Sequence, residues 1–225
     1  MAGNQPATVA WNARGVPVST RFDDPYFSLD DGLAETRHTF LAGNDLPARA
    51  REGFAIAELG FGTGLNMLAT RIALEEAQVA GPVSYTSFEA FPMEAGQIER
   101  ALSAFPEALA VAAPFLEAWQ AGARRFALGP LRVEVIIGDA RETLPRWEGR
   151  ADAWYLDGFS PAKNPELWGE ALLAEVARHT RPGGTAATYT AAGFVRRGLE
   201  AAGFAVERRP GFGRKRHMSV ARLPR

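Results

Sequence analysis

The sequence has no cysteine. That absence removes a disulfide framework, thiolate zinc sites, iron–sulfur clusters and a catalytic thiol together. Its three histidines, His38, His179 and His217, are too scattered to assemble a metal centre, so no metal is expected. No stretch of about 18 uncharged apolar residues is available to cross a bilayer. Residues 1–10 lack the basic start and apolar core of a signal peptide. A cytoplasmic protein without a membrane partner is the expectation.

What is present fits one large domain. A chain of 225 residues, 47% hydrophobic and 23% charged, can bury a sizeable core. With 23 Gly and 15 Pro, collagen-like, disordered and low-complexity classes are excluded. The net charge of −1 hides an asymmetry: residues 196–225 hold nine Lys or Arg against Glu200 and Glu207, a net +7, which leaves −8 for residues 1–195. A polyanion would be drawn to the basic end. Because 23 of the 25 basic residues are Arg, a compositional bias with solvated arginines is the alternative.

Residues 8–19 alternate around Gly15 and predict a β-hairpin, and residues 21–28 a polar, Pro-interrupted surface loop with two aromatics. A short helix over 33–41 and a connector over 47–53 follow. Residues 1–50 are expected to be an N-terminal extension packed on a core domain of residues 51–225. From residue 54 onward short apolar runs alternate with helical segments, as in a parallel sheet covered by helices. Strands are expected over 54–59, 83–89, 124–128, 131–137, 151–156, 185–190, 204–209 and 218–223. Helices are expected over 65–77, 94–104, 107–121, 165–180 and 192–202. The predicted class is a Rossmann-like α/β fold, mostly parallel and seven-stranded at its core, with helices on both faces.

Ligands of open α/β sheets lie across the carboxyl ends of the strands. The first strand runs into Glu58-Leu-Gly60-Phe61-Gly62-Thr63-Gly64-Leu-Asn66, where glycines admit a ligand to the backbone and a helix N-terminus offers free N–H groups. Its spacing is G-x-G-x-G, and Leu65 stands where a dinucleotide fingerprint has its last glycine. S-adenosylmethionine is therefore favoured over NAD or FAD. Glu89 ends the second strand, 25 residues past Gly64, and a carboxylate there accepts from two vicinal ribose hydroxyls. After the third strand, Asp139-Ala140 offers an acceptor for an adenine amino group, although an acid at such a place also caps helices. Asp157 leaves the fourth strand. Methyl transfer to an amine needs an unprotonated nitrogen held in line, whereas an alkylamine has a pKa of about 10.4. Asp157 can accept an N–H bond and assist loss of that proton; capping the following loop is its alternative role.

The segments 58–66, Phe88-Glu-Ala-Phe-Pro92, Asp152-Ala-Trp-Tyr-Leu-Asp-Gly-Phe-Ser-Pro-Ala-Lys-Asn-Pro165, Gly193-Phe-Val-Arg-Arg197 and Gly211-Phe-Gly-Arg-Lys-Arg216, with Phe22-Asp-Asp-Pro-Tyr-Phe-Ser28 upstream, resemble the methyltransferase half of the tRNA-modifying MnmC family, in order from about Trp11 to Met218. The resemblance implies a class I methyltransferase fold. It also implies methylation of 5-aminomethyl-2-thiouridine at the wobble position of tRNA, with S-adenosylmethionine as cofactor and Asp157, in the L-D-G-F motif, as the catalytic carboxylate. Many members continue into an FAD-dependent oxidoreductase that prepares the aminomethyl substrate. This sequence ends at Arg225 and contains no G-x-G-x-x-G, so that activity is not expected in these residues; a stand-alone enzyme supplied by a separate FAD-dependent oxidoreductase or other enzyme and one half of a bifunctional protein are both open. His217 stands where the family usually has Glu.

An anticodon base must be splayed out and stacked. The stacking candidates are Tyr26, Phe27, Phe159, Trp168, Phe194 and Phe212, with Tyr26 and Phe159 favoured because they flank polar, Pro-rich loops. Arg196, Arg197, Arg214, Lys215 and Arg216 are the phosphate candidates, and Lys163 lies within the matched motif. Competing readings are methylation of a small amine or a protein, a non-catalytic RNA- or nucleotide-binding module, and an NAD-dependent oxidoreductase. The glycine spacing disfavours the last. Acids retained at 58, 89, 139 and 157 disfavour an inactive module.

Overall fold

The computed structural model of the chain describes residues 6–28 and 31–225. Residues 1–5, part of the segment read above for a signal peptide, lie outside them. The chain opens with a small antiparallel sheet, β1 (Val9–Trp11), β2 (Pro17–Ser19) and β3 (Asp24–Pro25). Asn12 closes the β1–β2 turn by accepting from the Arg14 and Val16 N–H groups. The helix α1 (Gly32–Thr36) is capped by Asp31, whose side chain accepts from the Ala34 N–H. A π-helical turn (Arg37–Leu41) and a 3₁₀ turn (Ala42–Asn44) follow, so the single helix predicted over 33–41 is two short pieces, continued by a third to residue 44.

The core alternates strands and helices as the apolar pattern requires: β4 (Ala55–Leu59), α2 (Leu65–Glu76), β5 (Val83–Glu89), α3 (Ala95–Leu102), α4 (Pro106–Ala110), α5 (Ala113–Gln120), β6 (Arg125–Leu128), β7 (Leu131–Ile137), α6 (Ala140–Thr143), β8 (Ala151–Leu156), α7 (Glu170–Arg178), β9 (Thr180–Thr188), α8 (Gly193–Ala201), β10 (Ala205–Pro210) and β11 (His217–Arg222). The helix predicted over 107–121 breaks between α4 and α5, where Pro114 lies in the first turn of α5; a proline fits a helix start and disrupts an interior. The helix predicted from 165 begins as a 3₁₀ turn (Pro165–Trp168) and becomes α-helical only after Gly169.

The large sheet has the order β10-β11-β9-β8-β4-β5-β7-β6. Neighbours from β9 to β7 are parallel, while β11, β10 and β6 run antiparallel to their partners. The strand expected over 124–128 is β6, folded back onto β7 by the Gly129-Pro130 turn as a closing hairpin, and it brings the seven-stranded sheet of the predicted class to eight. The chain order reverses at β4, so the carboxyl ends of β4, β5 and β8 face one crevice.

Successive residues of the central strands point to opposite faces, and both faces are dry. Ile56, Tyr85 and Tyr155 pack with Met67, Leu68, Ile98, Leu102, Phe115 and Trp119 on one side. Leu59, Phe88 and Trp154 pack with Leu144, Leu172, Leu173, Val176, Val195 and Leu199 on the other. Ala7, Leu33, Phe40, Leu41 and Leu46 join the first cluster, so the N-terminal region shares the core of the sheet. Asn44, fully buried, ties it there: its Nδ2 donates to the Phe40 carbonyl (3.0 Å) and the Trp154 carbonyl (3.1 Å), and its Oδ1 accepts from Thr185 Oγ1 (2.7 Å). Asn44→Ala strands these partners in a dry site, and the expected cost is about 2 kcal/mol. The measurement is a thermal melt, with Tm lowered by roughly 4–8 °C.

Candidate active site

Along the carboxyl edge of β4, β5, β7 and β8 lies a cleft of about 850 Å³, within the roughly 300–1,000 Å³ typical of sites for small organic ligands. Gly60 and Gly62 form its floor with φ of 84° and 53°. A side chain on Gly60 would stand 3.2 Å from Gly158 Cα, so only glycine lets the loop after β4 meet the loop after β8. The N–H groups of the first turn of α2 open beside this floor. The cradle fits a nucleotide-bearing cofactor that approaches backbone.

Each acid anticipated at a strand end is found there, with a sharper role for each. Glu89 is buried, accepting from the Gly62 N–H at 2.9 Å and the Phe91 N–H at 2.7 Å. It pins the glycine loop to β5 and retains lone pairs toward the cleft. Burial raises its pKa despite these backbone donors. Asp139 takes the capping role: its carboxylate accepts from the Arg141 N–H of α6 and pairs with the Arg141 guanidinium at 2.5–3.0 Å, which holds its pKa below the usual range. It lines the cleft beside Ala140, but Arg141 already engages both its oxygens. Glu58 does not reach the cleft. It is fully buried under the floor, where it accepts from Asn66 Nδ2 at 2.8 Å. Burial pushes its pKa up to about 8, so it is neutral at pH 7.

Asp157 faces the cleft from the end of β8. Its Oδ1 accepts from the Gly158 N–H and its Oδ2 from Asn66 Nδ2, each at 2.8 Å. Desolvation pushes its pKa up to about 6, while Lys215 pulls it down and Glu35 pushes it up. The carboxylate is thus fixed at both oxygens, charged at neutral pH and more basic than a solvated Asp. Asn66, anticipated as a cofactor contact, spends both amide hydrogens on Glu58 and Asp157 and its Oδ1 on the Thr36 hydroxyl.

Other anticipated residues divide. Thr63 lines the cleft. Phe61 turns its ring into the core, stacked on Trp119 with centroids 5.0 Å apart, so only its backbone serves the site. Gly64 caps α2 away from the cleft, with a Cβ position only 3.1 Å from the Phe61 and Phe115 rings. Tyr26 and Phe159 meet edge to face at 5.1 Å, and Phe22 stacks on Phe159 at 4.7 Å. The loop over 21–28 is accordingly a strap across the cleft. Its Asp24 accepts from the Ser160 N–H at 2.7 Å and its Asp23 pairs with Lys163 at 2.6 Å. Lys163 therefore fastens the strap outside the cleft lining. Phe194 is 45% exposed on α8, and neither it nor Arg196, Arg197 or Arg216 lines the cleft. His217 opens β11 opposite Pro210, also outside.

Lys215 lies inside, bonded to Glu35 at 2.6 Å with its ammonium 4.1 Å from the Tyr189 ring centre, so it is a cleft residue where a phosphate contact was anticipated. Glu35, Tyr189, Phe91, Arg14 and Arg21 are lining residues that the sequence reading missed. Tyr189 carries a usable signal, since it directly follows β9. Phe91 lies in the matched segment 88–92 but was not singled out, and Glu35, Arg14 and Arg21 come from segments with no motif. Arg14, Arg21, Arg141 and Arg214 are exposed around the mouth, and Arg21 sits 4.5 Å from the Phe91 ring centre. Among the described residues no group of three or more His, Asp or Glu is gathered as for a metal, and no helix is long and apolar enough to cross a membrane.

Comparison with known proteins agrees with this geometry. The chain is 49% identical over 229 aligned residues to the tRNA 5-methylaminomethyl-2-thiouridine biosynthesis bifunctional protein MnmC of Aeromonas hydrophila, covering 94% of this chain and 34% of that protein. It is 45% identical to the protein of the same name from Pseudomonas paraeruginosa, covering 97% and 35%. The chain thus spans about a third of the length of these relatives. The crystal structure of MnmC2 from Aquifex aeolicus superposes with a TM-score of 0.75 at 25% identity, over 99% of this chain and 73% of that one. A methyltransferase from Pyrococcus furiosus shares the fold at a TM-score of 0.51 and 15% identity, over 94% of this chain and 90% of that one. The family described as S-adenosyl-L-methionine-dependent methyltransferase matches residues 106–224. That match covers more than half of the chain, which therefore belongs to the S-adenosyl-L-methionine-dependent methyltransferase family.

Proposed function

We propose that this chain methylates the primary amine of 5-aminomethyl-2-thiouridine at the wobble position of tRNA, giving the 5-methylaminomethyl form. The observation that carries the reading is Asp157: a carboxylate fixed at both oxygens, facing the cofactor cleft, and made basic by burial. Bound S-adenosylmethionine supplies an electrophilic methyl group whose sulfur departs neutral. The chain's own residues then have two tasks. Asp157 accepts an N–H bond from the amine, takes the proton that leaves the ammonium form, and aims the freed lone pair along the transfer axis. The aromatic pair Tyr26 and Phe159 supplies faces for an extruded base, while Glu89 and the glycine floor hold the ribose and amino-acid portions of the cofactor. Asp139 would contact adenine through lone pairs that Arg141 leaves over.

The names of the relatives support a tRNA acceptor, and so does the mouth of the cleft. Arg14, Arg21 and Arg214 surround the opening, where an anticodon loop would place its phosphates. Arg196, Arg197 and Arg216 would then act only as outlying charge. For the double variant Arg21→Ala with Arg214→Ala, the slope of log K for anticodon stem-loop binding against log salt falls by about 1–2. An unchanged slope assigns the phosphates elsewhere. An FAD-dependent oxidoreductase activity is proposed as the source of the aminomethyl base, whether carried by the same polypeptide, as the bifunctional names of the relatives suggest, or by another.

The test is transfer of labelled methyl from S-adenosylmethionine into tRNA bearing 5-aminomethyluridines, followed by nucleoside analysis. Label in 5-methylaminomethyl-2-thiouridine supports the proposal. Label appearing only in a small-amine or protein pool supports the alternative acceptors.

A further inference from the structure

Thr36 and Asn66 have no assigned part in the reaction. Asn66 stands in the first turn of α2, directly after the glycine loop, and Thr36 ends α1 in the N-terminal region. Asn66 Nδ2 donates to Glu58 Oε1 and to Asp157 Oδ2, both at 2.8 Å, and Thr36 Oγ1 donates to Asn66 Oδ1, also at 2.8 Å. Thr36 and Asn66 are both buried. All the hydrogen-bonding atoms of the amide are thereby engaged, and its orientation follows from the partners. Carboxylate oxygens accept, so the NH₂ side must face the two acids. Turned over, the amide would set its own oxygen against Asp157 and leave the threonine hydroxyl facing an NH₂.

We infer that Thr36 and Asn66 are positioning residues that hold the Asp157 carboxylate in its reactive orientation, Thr36 by locking the amide and Asn66 by anchoring Oδ2. This rests on the reading of Asp157 given above. The other anchor of the carboxylate, the Gly158 N–H on Oδ1, belongs to the main chain, so Asn66 is the side chain through which its angle is set. The same bonds explain why Asn66 has no amide hydrogen to offer a cofactor. Because Thr36 belongs to α1, the N-terminal region completes the site from outside the strands that carry the cofactor.

Thr36→Val keeps shape and removes one donor. The expected result is a roughly 10- to 100-fold fall in kcat on tRNA, as for a small misplacement of a reacting group. The Kd for S-adenosylmethionine by calorimetry and the KM for tRNA should stay within about twofold, and Thr36→Ser should restore kcat. Asn66→Ala, with its fold verified by thermal melt, should show the same split between kcat and Kd. Wild-type kcat in Thr36→Val, or failure of Ser to restore it, overturns the inference. Weakened cofactor binding at unchanged kcat in Asn66→Ala also overturns it and returns Asn66 to the cofactor. Asp157→Asn is the control: if it retains turnover, the role of Asp157 itself is wrong. If Asp157→Asn is inactive while both Thr36→Val and Asn66→Ala turn over normally, only the positioning inference falls.

Discussion

Asp157→Asn lowers methyl transfer to tRNA by about 10²–10⁴-fold, the range of a lost general base, while S-adenosylmethionine binding measured by calorimetry stays within a few-fold. Asn keeps only one of the two anchoring bonds, because Gly158 and Asn66 donate to different oxygens and one of these becomes an NH₂, so the base and one anchor disappear together in a side chain of nearly unchanged shape. The energetic need is plain. At pH 7 an alkylamine of pKa about 10.4 is some 3.4 units from neutrality, a deficit of roughly 4.6 kcal/mol. Raising the acceptor carboxylate from 3.8 to about 6 narrows the mismatch by about 3 kcal/mol. The pH dependence follows. Asp157 acts as its carboxylate, so kcat/KM should fall about tenfold per unit below pH 6 and level off above it, until ionisation of the amine adds its own rise. Measured rates that ignore pH between 4.5 and 6.5, or an Asp157→Asn enzyme with normal turnover, contradict the assignment. Charged or titratable groups facing Asp157 come from several elements: Glu35 on α1, Glu58 on β4, Tyr85 on β5, Tyr189 after β9 and Lys215 between β10 and β11. Among them Lys215 favours the ionised form.

Glu58→Gln stabilises the protein at alkaline pH and leaves it nearly unchanged at acid pH. Glu58 is fully buried with Oε2 lacking a hydrogen-bond partner, and the bond from Asn66 with the neighbouring Ser87 and Tyr85 hydroxyls draws its pKa back only in part. Its ordinary value of 4.5 rises to about 8 in the fold. For a carboxyl whose folded value is raised, the folded state holds the proton more tightly than the unfolded state. That contribution is complete below pH 4.5 and is lost as pH climbs through 8. Between pH 5 and pH 8 the wild type should therefore lose on the order of 3 kcal/mol through this group. Asp157, also raised, adds to the loss between about 4 and 6. Gln keeps the oxygen that accepts from Asn66 and offers NH₂ to the two hydroxyls, with no proton to lose. Thermal melts should separate variant from wild type by about 10 °C at pH 8 and by little at pH 5. A variant that melts lower than wild type at pH 8 shows that Glu58 is not held neutral.

The sheet was legible because parallel strands buried on both faces leave unbroken apolar runs, and residues 151–156 show this at its clearest. The acids at 58, 89, 139 and 157 were legible as residues leaving strands. Their roles were not. Whether Asp139 caps α6 or meets adenine depends on where the Arg141 guanidinium swings, and Glu58 differs from Glu89 only in lying below the glycine floor. Lys215 counted toward a basic terminus, but Glu35, 180 positions away, binds it inside the cleft. The strap over 21–28 was read as surface because its polarity signals exposure. Asp24 and Asp23 instead spend that polarity on Ser160 and Lys163, closing the strap over the site. Pairings of this reach are set by tertiary packing, and local pattern carries no trace of them.

The most direct test of the account is a crystal structure with S-adenosylhomocysteine and an anticodon stem-loop carrying 5-aminomethyluridine. The expected complex has the sulfur facing Asp157 across the acceptor nitrogen and an Asp157 oxygen about 2.6–3.2 Å from that nitrogen. A complex with the amine seated on Glu35 and the Asp157 carboxylate turned from the sulfur would contradict it.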